Sequence, residues 1–338
     1  MNKKLMALAV AGACVAPTAM AQTANPVTLY GRVYVMVENV KADGLPSRNR
    51  VTDGSSLIGV RGTEDLGGGL KAFFQLETAF ETGNSAGNTY ATRNSGVGLQ
   101  GGWGSVIAGR WDSPYKSATI AIDPFGDLTI AGITSALNDR GNHDRRVQNV
   151  VQYWSPNMGG FAFRLSHGVN ENKTPDPNSK DPQETAVSIT YGKGPVYAFA
   201  AYEELKDIGT FAKQKATAGG GAFTFGPVKI GAEYQEYKKT NLTTQKAYMA
   251  NAVYTAGKHQ IMAQFQNAKD GGARGAAQPE CDVSSVGYQY NFSKRTMFIA
   301  LYSEVDNSNG SNCRFGAGDI GAVGTDKEGF AAGIRHTF

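Results

Sequence analysis

The sequence predicts an all-β chain: sixteen antiparallel strands closed into a barrel that spans a membrane. Three observations carry this. Segments of about ten residues alternate polar and apolar side chains along most of the chain, the period of a strand with two unlike faces. The connections between them alternate between short turns and long polar loops. After the first 21 residues no run of about 18 apolar residues occurs, which excludes a membrane helix but not a closed barrel.

The chain has 338 residues and reads from its beginning as a Sec signal peptide, residues 1–21. Lys3 and Lys4 form a positive start, Leu5 to Val10 begin an apolar core, and Ala19-Met20-Ala21 is a small-x-small cleavage site. Ala11 stands where a lipoprotein signal carries a bulky aliphatic, so Cys14 is not read as a lipid acceptor. Removing Lys3 and Lys4 leaves 31 basic against 29 acidic residues, a net charge of +2. That balance carries no nucleic-acid footprint.

Residues 22–338 form one domain, since no composition shift marks a second. In Val27 to Glu38, Val27, Leu29, Val33, Val35 and Val37 share one face, with Thr28, Tyr30, Arg32, Tyr34 and Glu38 opposite. Gln260 to Gln266 and Ser285 to Phe292 repeat the pattern, as does the stretch around Phe161. Seven short connections include Thr63–Gly69, Gly102-Trp103-Gly104 and Ser155–Gly160. Eight long ones include Lys41–Asp53, Glu81–Thr92, Leu205–Lys213, Ala268–Asp282 and Asp306–Asp326. Fifteen connections give sixteen strands, and short turns on one rim with long loops on the other is the layout of outer-membrane barrels. A soluble β-sandwich also alternates, but it packs its apolar faces into a core. Here the strands run longer than the usual five or six residues and their second faces carry Gln, Asn, Ser and Arg.

One stretch breaks the pattern. From Asp112 to Asp144 some thirty residues pass without alternation, yet they are rich in Ile, Ala, Leu and Phe. A connection so long in a compact domain is functional or disordered, and this composition argues against disorder. It is expected to fold into the barrel mouth and narrow it. Cys281 and Cys313 remain after cleavage of the leader, and in an oxidising compartment a pair is bridged more often than free. Cys281 precedes the fourteenth strand and Cys313 follows the fifteenth, so both fall on the long-loop side and are expected to join loops seven and eight.

Other motifs weigh little. Gly96-Val97-Gly98-Leu99-Gln100-Gly101 fits G-x-G-x-x-G, but a strand rather than a helix follows. His143-Asp144 with Ser135 lacks a nucleophile context, and no His/Cys group has metal-ligand spacing. Neither an enzyme nor a cofactor is expected.

Ser55–Glu77 (SSLIGVRGTEDLGGGLKAFFQLE) resembles the trimeric general porins of the Gram-negative outer membrane, particularly the beta-proteobacterial type. Val27–Arg32, Arg146–Phe161, Tyr290–Thr296 and the ending Gly333–Phe338 (GIRHTF) support the resemblance across the chain. It implies a sixteen-stranded barrel, a homotrimer set in outer-membrane lipid and lipopolysaccharide, and a water-filled channel for small hydrophilic solutes. The terminal Phe338 would be read by the barrel-assembly machinery. The third loop, here 112–144, would form the constriction.

The resemblance also implies a constriction set. Asp123 and Asp127, in Asp123-Pro124-Phe125-Gly126-Asp127, match the acidic loop tip. Arg146 matches the opposing arginine row by motif, with Gln148 and Gln152 on the same polar face, and Arg93 and Arg110 match by position. Strict alternation sets Arg93 with Val97 and Leu99 and Arg110 with Val106, so each needs a bulge near its glycines to turn inward. Leu57 replaces a frequent arginine while Arg61 remains, which weakens the anion preference the resemblance implies. Three function classes stay open: a general diffusion channel, a channel favouring small organic or inorganic anions, and a structural or adhesive barrel.

Overall fold

The computed structural model describes residues 27–80, 90–126, 129–137, 143–169, 182–208, 211–269, 279–311, 313–316, 318 and 320–338. The leader and Asp127 lie outside the described residues. The strands in order are β1 (Thr28–Ala42), β2 (Arg48–Asp53), β3 (Leu57–Gly67), β4 (Leu70–Ala79), β5 (Ser95–Gly101), β6 (Gly104–Asp112), β7 (Arg146–Trp154), β8 (Phe161–Val169) and β9 (Gln183–Lys193). They continue with β10 (Val196–Ile208), β11 (Phe211–Phe225), β12 (Val228–Lys239), β13 (Gln245–Ala256), β14 (His259–Lys269), β15 (Glu280–Asn291), β16 (Thr296–Asn307) and β17 (Lys327–Thr337).

From β3 onward each strand pairs antiparallel with the next, and β17 returns to β1, where Arg32 lies opposite Thr337 and Ala42 opposite Lys327. β2 and β3 lie end to end beside β1, with Val35 opposite Asp53 and Arg32 opposite Leu57. They are one wall strand broken at Ser55, whose φ of 82° no strand residue adopts. The wall is therefore a closed cylinder of sixteen strands. Closure leaves no unpaired edge, which is what lets backbone amides cross hydrocarbon. At the seam Phe338 N–H donates to Gly31 O at 3.0 Å and Gly31 N–H to Phe338 O at 3.2 Å. The Phe338 ring covers Gly31 so closely that a Cβ there would lie 2.6 Å from it.

The alternation is realised in burial. Leu29, Val37, Val97, Val151, Ile261 and Ile334 project outward with more than half their surface exposed. In hydrocarbon each such side chain contributes about 1.5–3 kcal/mol relative to water. Their alternating partners, such as Gln152, Gln214, Gln235, Gln264 and Ser303, are buried on the face turned to the axis.

Two expected loops are shorter than predicted. Lys41–Asp53 contains β2, because Arg48 to Asp53 finds an antiparallel partner in the extended end of β1. Leu205–Lys213 is nearly all strand: β10 and β11 continue pairing to Ile208 opposite Phe211. Polar composition marked both as loops, but above the membrane a strand has no need of apolar side chains.

The long connection between β6 and β7 opens with helix α1 (Pro114–Thr119). Ser113 Oγ caps it by accepting from Lys116 N at 3.1 Å, and Pro114 occupies the first turn, where its missing N–H costs nothing. Tyr115, Ala118, Ile122, Ile130, Ile133 and Leu137 of this connection are almost fully buried. Its aliphatic content is thus packed, as its composition required.

Candidate functional site

Two groups of polar residues occupy opposite sides of the cylinder. On β1 to β5 a continuous series of contacts links three arginines. The Arg61 guanidinium lies 4.9 Å from the Tyr30 ring centroid, and Tyr30 OH donates to Glu77 Oε2 at 3.1 Å. Arg93 Nε donates to Glu77 Oε1 at 2.7 Å and Arg93 Nη1 to Ser55 Oγ at 3.4 Å. Arg32 reaches the same serine, with Nε on Ser55 O at 2.6 Å and Nη2 on Oγ at 2.5 Å. Three guanidiniums against one carboxylate give this series a net charge of +2. Arg32 stands opposite Leu57 in the β1–β3 register, so a cation flanks the position that lacks one.

The left-handed conformation of Ser55 makes this possible. It turns the backbone carbonyl and hydroxyl together toward Arg32, which continued strand geometry would not. Beside Arg61 a cleft of about 380 Å3 is lined by Thr28, Phe73, Gln75, Gln100, Trp111 and Trp154.

Across the cylinder the β6–β7 connection is held by side chains from the axis-facing surface of the wall. Asn251 Nδ2 donates to Ile122 O at 3.1 Å, and Gln264 Nε2 to Ala131 O at 3.0 Å. Gln266 Nε2 donates to Gly132 O at 3.0 Å and Tyr237 OH to Leu137 O at 2.6 Å, while Tyr115 OH donates to Gln235 Oε1 at 3.1 Å. Phe125 rests on Gly287 of β15, where a Cβ would lie 2.5 Å from the ring. Buried amides are costly to leave unpaired; here Asn251, Gln264 and Gln266 each donate to a carbonyl that an irregular segment leaves open.

Charges pin the neck of the connection. Lys116 Nζ lies 3.2 Å from Asp144 Oδ2, and Arg145 Nε donates to Glu184 Oε2 at 2.6 Å. His143 Nδ1 is 2.8 Å from Glu203 Oε2 with both side chains fully buried. Burial drives the His143 pKa down to about 3, against the opposing pull of the nearby Glu184 carboxylate. Its Nε2 is buried with no acceptor among the described residues, so a second ring proton would be stranded there. The ring is therefore neutral and donates from Nδ1.

The predicted site residues distribute unevenly over this frame. Arg61 and Arg93 belong to the linked series, and Arg93 precedes β5, so strand alternation does not govern its direction. Arg110 sits at a bulge: the β6–β7 register shifts between Gly109 and Trp111. Arg146 lies opposite Asp112, its Nη2 3.0 Å from Asp112 Oδ1 and its Nε donating to Asn94 Oδ1 at 2.8 Å. Arg146, Gln148 and Gln152 do not share one face, because Asn149 takes a φ of 48° and breaks the alternation between them. Asp123 receives Phe125 N–H at 3.0 Å and Ile133 N–H at 2.9 Å, tying the two limbs of the connection together. Tyr30 and Arg32 were legible on the polar face of the first segment. Glu77 and Ser55 were not singled out, and no pattern marks Ser55.

Cys281 and Cys313 are bonded, with Cα atoms 6.0 Å apart and a sequence separation of 32. Cys281 lies within β15 rather than in the loop before it, since β14 and β15 pair as far as Lys269 and Glu280. The bridge therefore fastens the eighth long loop to the wall and not to another loop.

The Gram-negative porin family profile matches residues 7–310. Outer membrane porin protein 32 of Delftia acidovorans is 31% identical over 100% of both chains. Major outer membrane protein P.IB of Neisseria gonorrhoeae is 29% identical over 82% of this chain and 74% of its own. Among solved structures, an anion-selective porin from Comamonas acidovorans superposes with a TM-score of 0.79 at 27% identity, covering 93% of this chain and 100% of that one.

Proposed function

This chain belongs to the Gram-negative porin family, and from that membership we propose how its wall and its third long loop share the work of a passive channel. The protein is an outer-membrane channel through which small hydrophilic solutes and ions diffuse. In our reading the segment 112–144 lies against the far wall and narrows the bore, leaving the open path beside β1 to β5. The hydrogen bonds from Asn251, Gln264, Gln266 and Tyr237 to the segment support this. Three copies assemble in the membrane after a Sec leader is removed, no bond is made or broken during transport, and Phe338 presents the chain to the assembly machinery.

The single observation that carries the selectivity is the Arg61–Tyr30–Glu77–Arg93–Ser55–Arg32 series with its net +2. Guanidiniums held along one wall of a wet gap set up a transverse field, which low-dielectric surroundings focus. Small anions gain from that field, and apolar solutes cannot replace the water it orders. Reversal potentials across a planar bilayer under a salt gradient test the reading: anion preference is expected, and an absence of conductance refutes the channel itself.

A second reading, a channel selective for particular small organic or inorganic anions, draws on the same series and on the 27% identical structure described as anion-selective. Solute-dependent block of single-channel current separates it from general diffusion. Arg110, Arg146, Asp123 and Asp127 enter either reading as members of the constriction, with Arg146 and Asp123 also fixing the segment's shape.

A further inference from the structure

The outer face of β10 to β13, at the long-loop rim, carries a concentration of positive charge that the channel reading does not use. Lys206, Lys213, Lys215, Lys238 and Lys246 alternate with buried inward residues such as Glu203, Gln214, Gln235 and Tyr237, so they project away from the axis. Glu204 and Glu236 share that face, and five ammonium groups against two carboxylates leave a net +3.

The register makes the arrangement costly. Lys206 stands directly opposite Lys213, and Lys215 directly opposite Lys238. Like charges in direct cross-strand pairs destabilise a sheet. Glu204 partly compensates, lying 3.4 Å from Lys206, 3.0 Å from Lys213 and 3.7 Å from Lys215. Among the described residues Lys238 has no ion-pair partner, and it lines a cleft of about 180 Å3 with Lys213, Lys215, Thr240 and Asn241.

The patch also sits at a defined depth. From Lys215 to the exposed Phe225 at the other end of β11 is ten residues, about 25 Å of membrane thickness for a tilted strand. That is the height of the apolar band, so the lysines fall where it gives way to headgroups. Tyr202 and Tyr234 lie just inside them, their hydroxyls donating to Glu204 at 2.9 Å and Glu236 at 2.8 Å, as amphipathic rings do at a membrane interface.

We propose that Lys213, Lys215 and Lys238 form a cradle for a phosphate group on the headgroup of an outer-leaflet lipid, seated on the outer face of β11 and β12. The phosphate separates the facing ammonium groups and supplies Lys238 with its counter-charge. The inference rests on the reading of the wall as a membrane-spanning barrel.

The test uses the full chain purified in neutral detergent and a fluorescent lipid A carrying its phosphates, with phosphatidylcholine and inorganic phosphate as the other arms. Wild type is expected to bind lipid A about tenfold more tightly than the Lys213→Gln/Lys215→Gln/Lys238→Gln variant, a gap that closes as salt rises. Lys238→Gln alone is expected to lower affinity about twofold to threefold, and Lys193→Gln at the opposite rim to leave it unchanged. Equal affinity of wild type and triple variant overturns the cradle. So does displacement of lipid A by millimolar inorganic phosphate, which marks a free-anion site, or loss of oligomers with unchanged lipid A binding, which marks a contact between copies. Conductance of the same preparation is recorded in parallel, and its absence counts against the channel reading and not against the cradle.

Discussion

Arg93 Nε stands 2.7 Å from Glu77 Oε1, and the second oxygen of that carboxylate accepts from Tyr30. Glu77 thus orients two members of the basic series at once while cancelling one of its charges. A carboxylate in this position trades field strength for geometry: it fixes where the guanidinium points and lowers the net charge of the series.

Glu77→Gln removes the one carboxylate from that series and raises its net charge from +2 to +3. A unit charge acting on an ion roughly 8 Å away through water-like dielectric is worth about 0.5 kcal/mol, or about twofold for each ion and of opposite sign for anion and cation. Reversal potentials are therefore expected to move toward anions by about fivefold in the anion-to-cation ratio. Arg93→Ala is expected to move them the other way by a similar factor. Unchanged ratios in both variants would remove β1 to β5 from the selective path.

Arg146 pairs with Asp112 across the point where the third loop leaves the wall. Arg146→Ala is expected to shift selectivity toward cations and to raise open-channel noise, because Asn94 and Asp112 lose the guanidinium that ties them to the start of β7. Asp112→Asn separates the two effects: it keeps the cation and loosens the neck, so noise rises while the ratio moves toward anions. Single-channel recordings read both quantities.

His143 makes docking of the loop sensitive to acid. Burial holds its pKa near 3, against an ordinary value of 6.5. Above about 6.5 the ring is neutral whether the loop is docked or released, and docking is at full strength. Between 6.5 and 3 the released ring takes a proton that the docked one refuses, so docking weakens as pH falls, by up to about tenfold per unit. Around the ring stand Glu203, Glu184 and Tyr237 from the wall, Tyr115, Asp144, Lys116 and Arg145 from the loop, and Lys239 from β12. His143→Gln, which keeps a donor for Glu203 and cannot charge, is expected to flatten the rise in closure frequency between pH 6.5 and 4. A variant as acid-sensitive as wild type would remove His143 from the effect.

The strands were legible because a wall with lipid on one side and water on the other imposes period two on nearly every segment, and Val27 to Glu38 reads that way without help. The site was less legible because it lies where period two fails. Arg110 and Arg146 flank a register shift that alternation cannot foresee. Asn149 inverts the expected direction of Gln148, and Ser55 joins two arginines through a backbone conformation that nothing in a serine announces. The rim was misjudged for a related reason: beyond the membrane a strand keeps its hydrogen bonds while its composition turns polar, so β2 and the ends of β10 and β11 look like loops.

The Cys281–Cys313 bond ties the eighth loop to β15, and the same loop touches the third through Arg314 N–H, which donates to Ser135 O at 3.1 Å. Cys313 O is in addition held by Lys327 Nζ at 2.9 Å and Asn307 Nδ2 at 3.1 Å. Opening a link that closes 32 residues relaxes an entropic constraint of about 3–4 kcal/mol, which falls on local opening of the loop because the wall strands keep their ladders. Reduction, or the Cys281→Ser/Cys313→Ser variant, is expected to raise tryptic cleavage after Arg314 at least about tenfold while the heat resistance of the barrel stays the same. Equal cleavage in oxidised and reduced protein would mean that Lys327 and Asn307 suffice to hold the loop. A fall in heat resistance would mean that the bond braces the wall itself. Because Arg314 meets Ser135, the opened loop also frees one edge of the third, and reduction should change channel conductance only in protein whose Ser135 contact is intact.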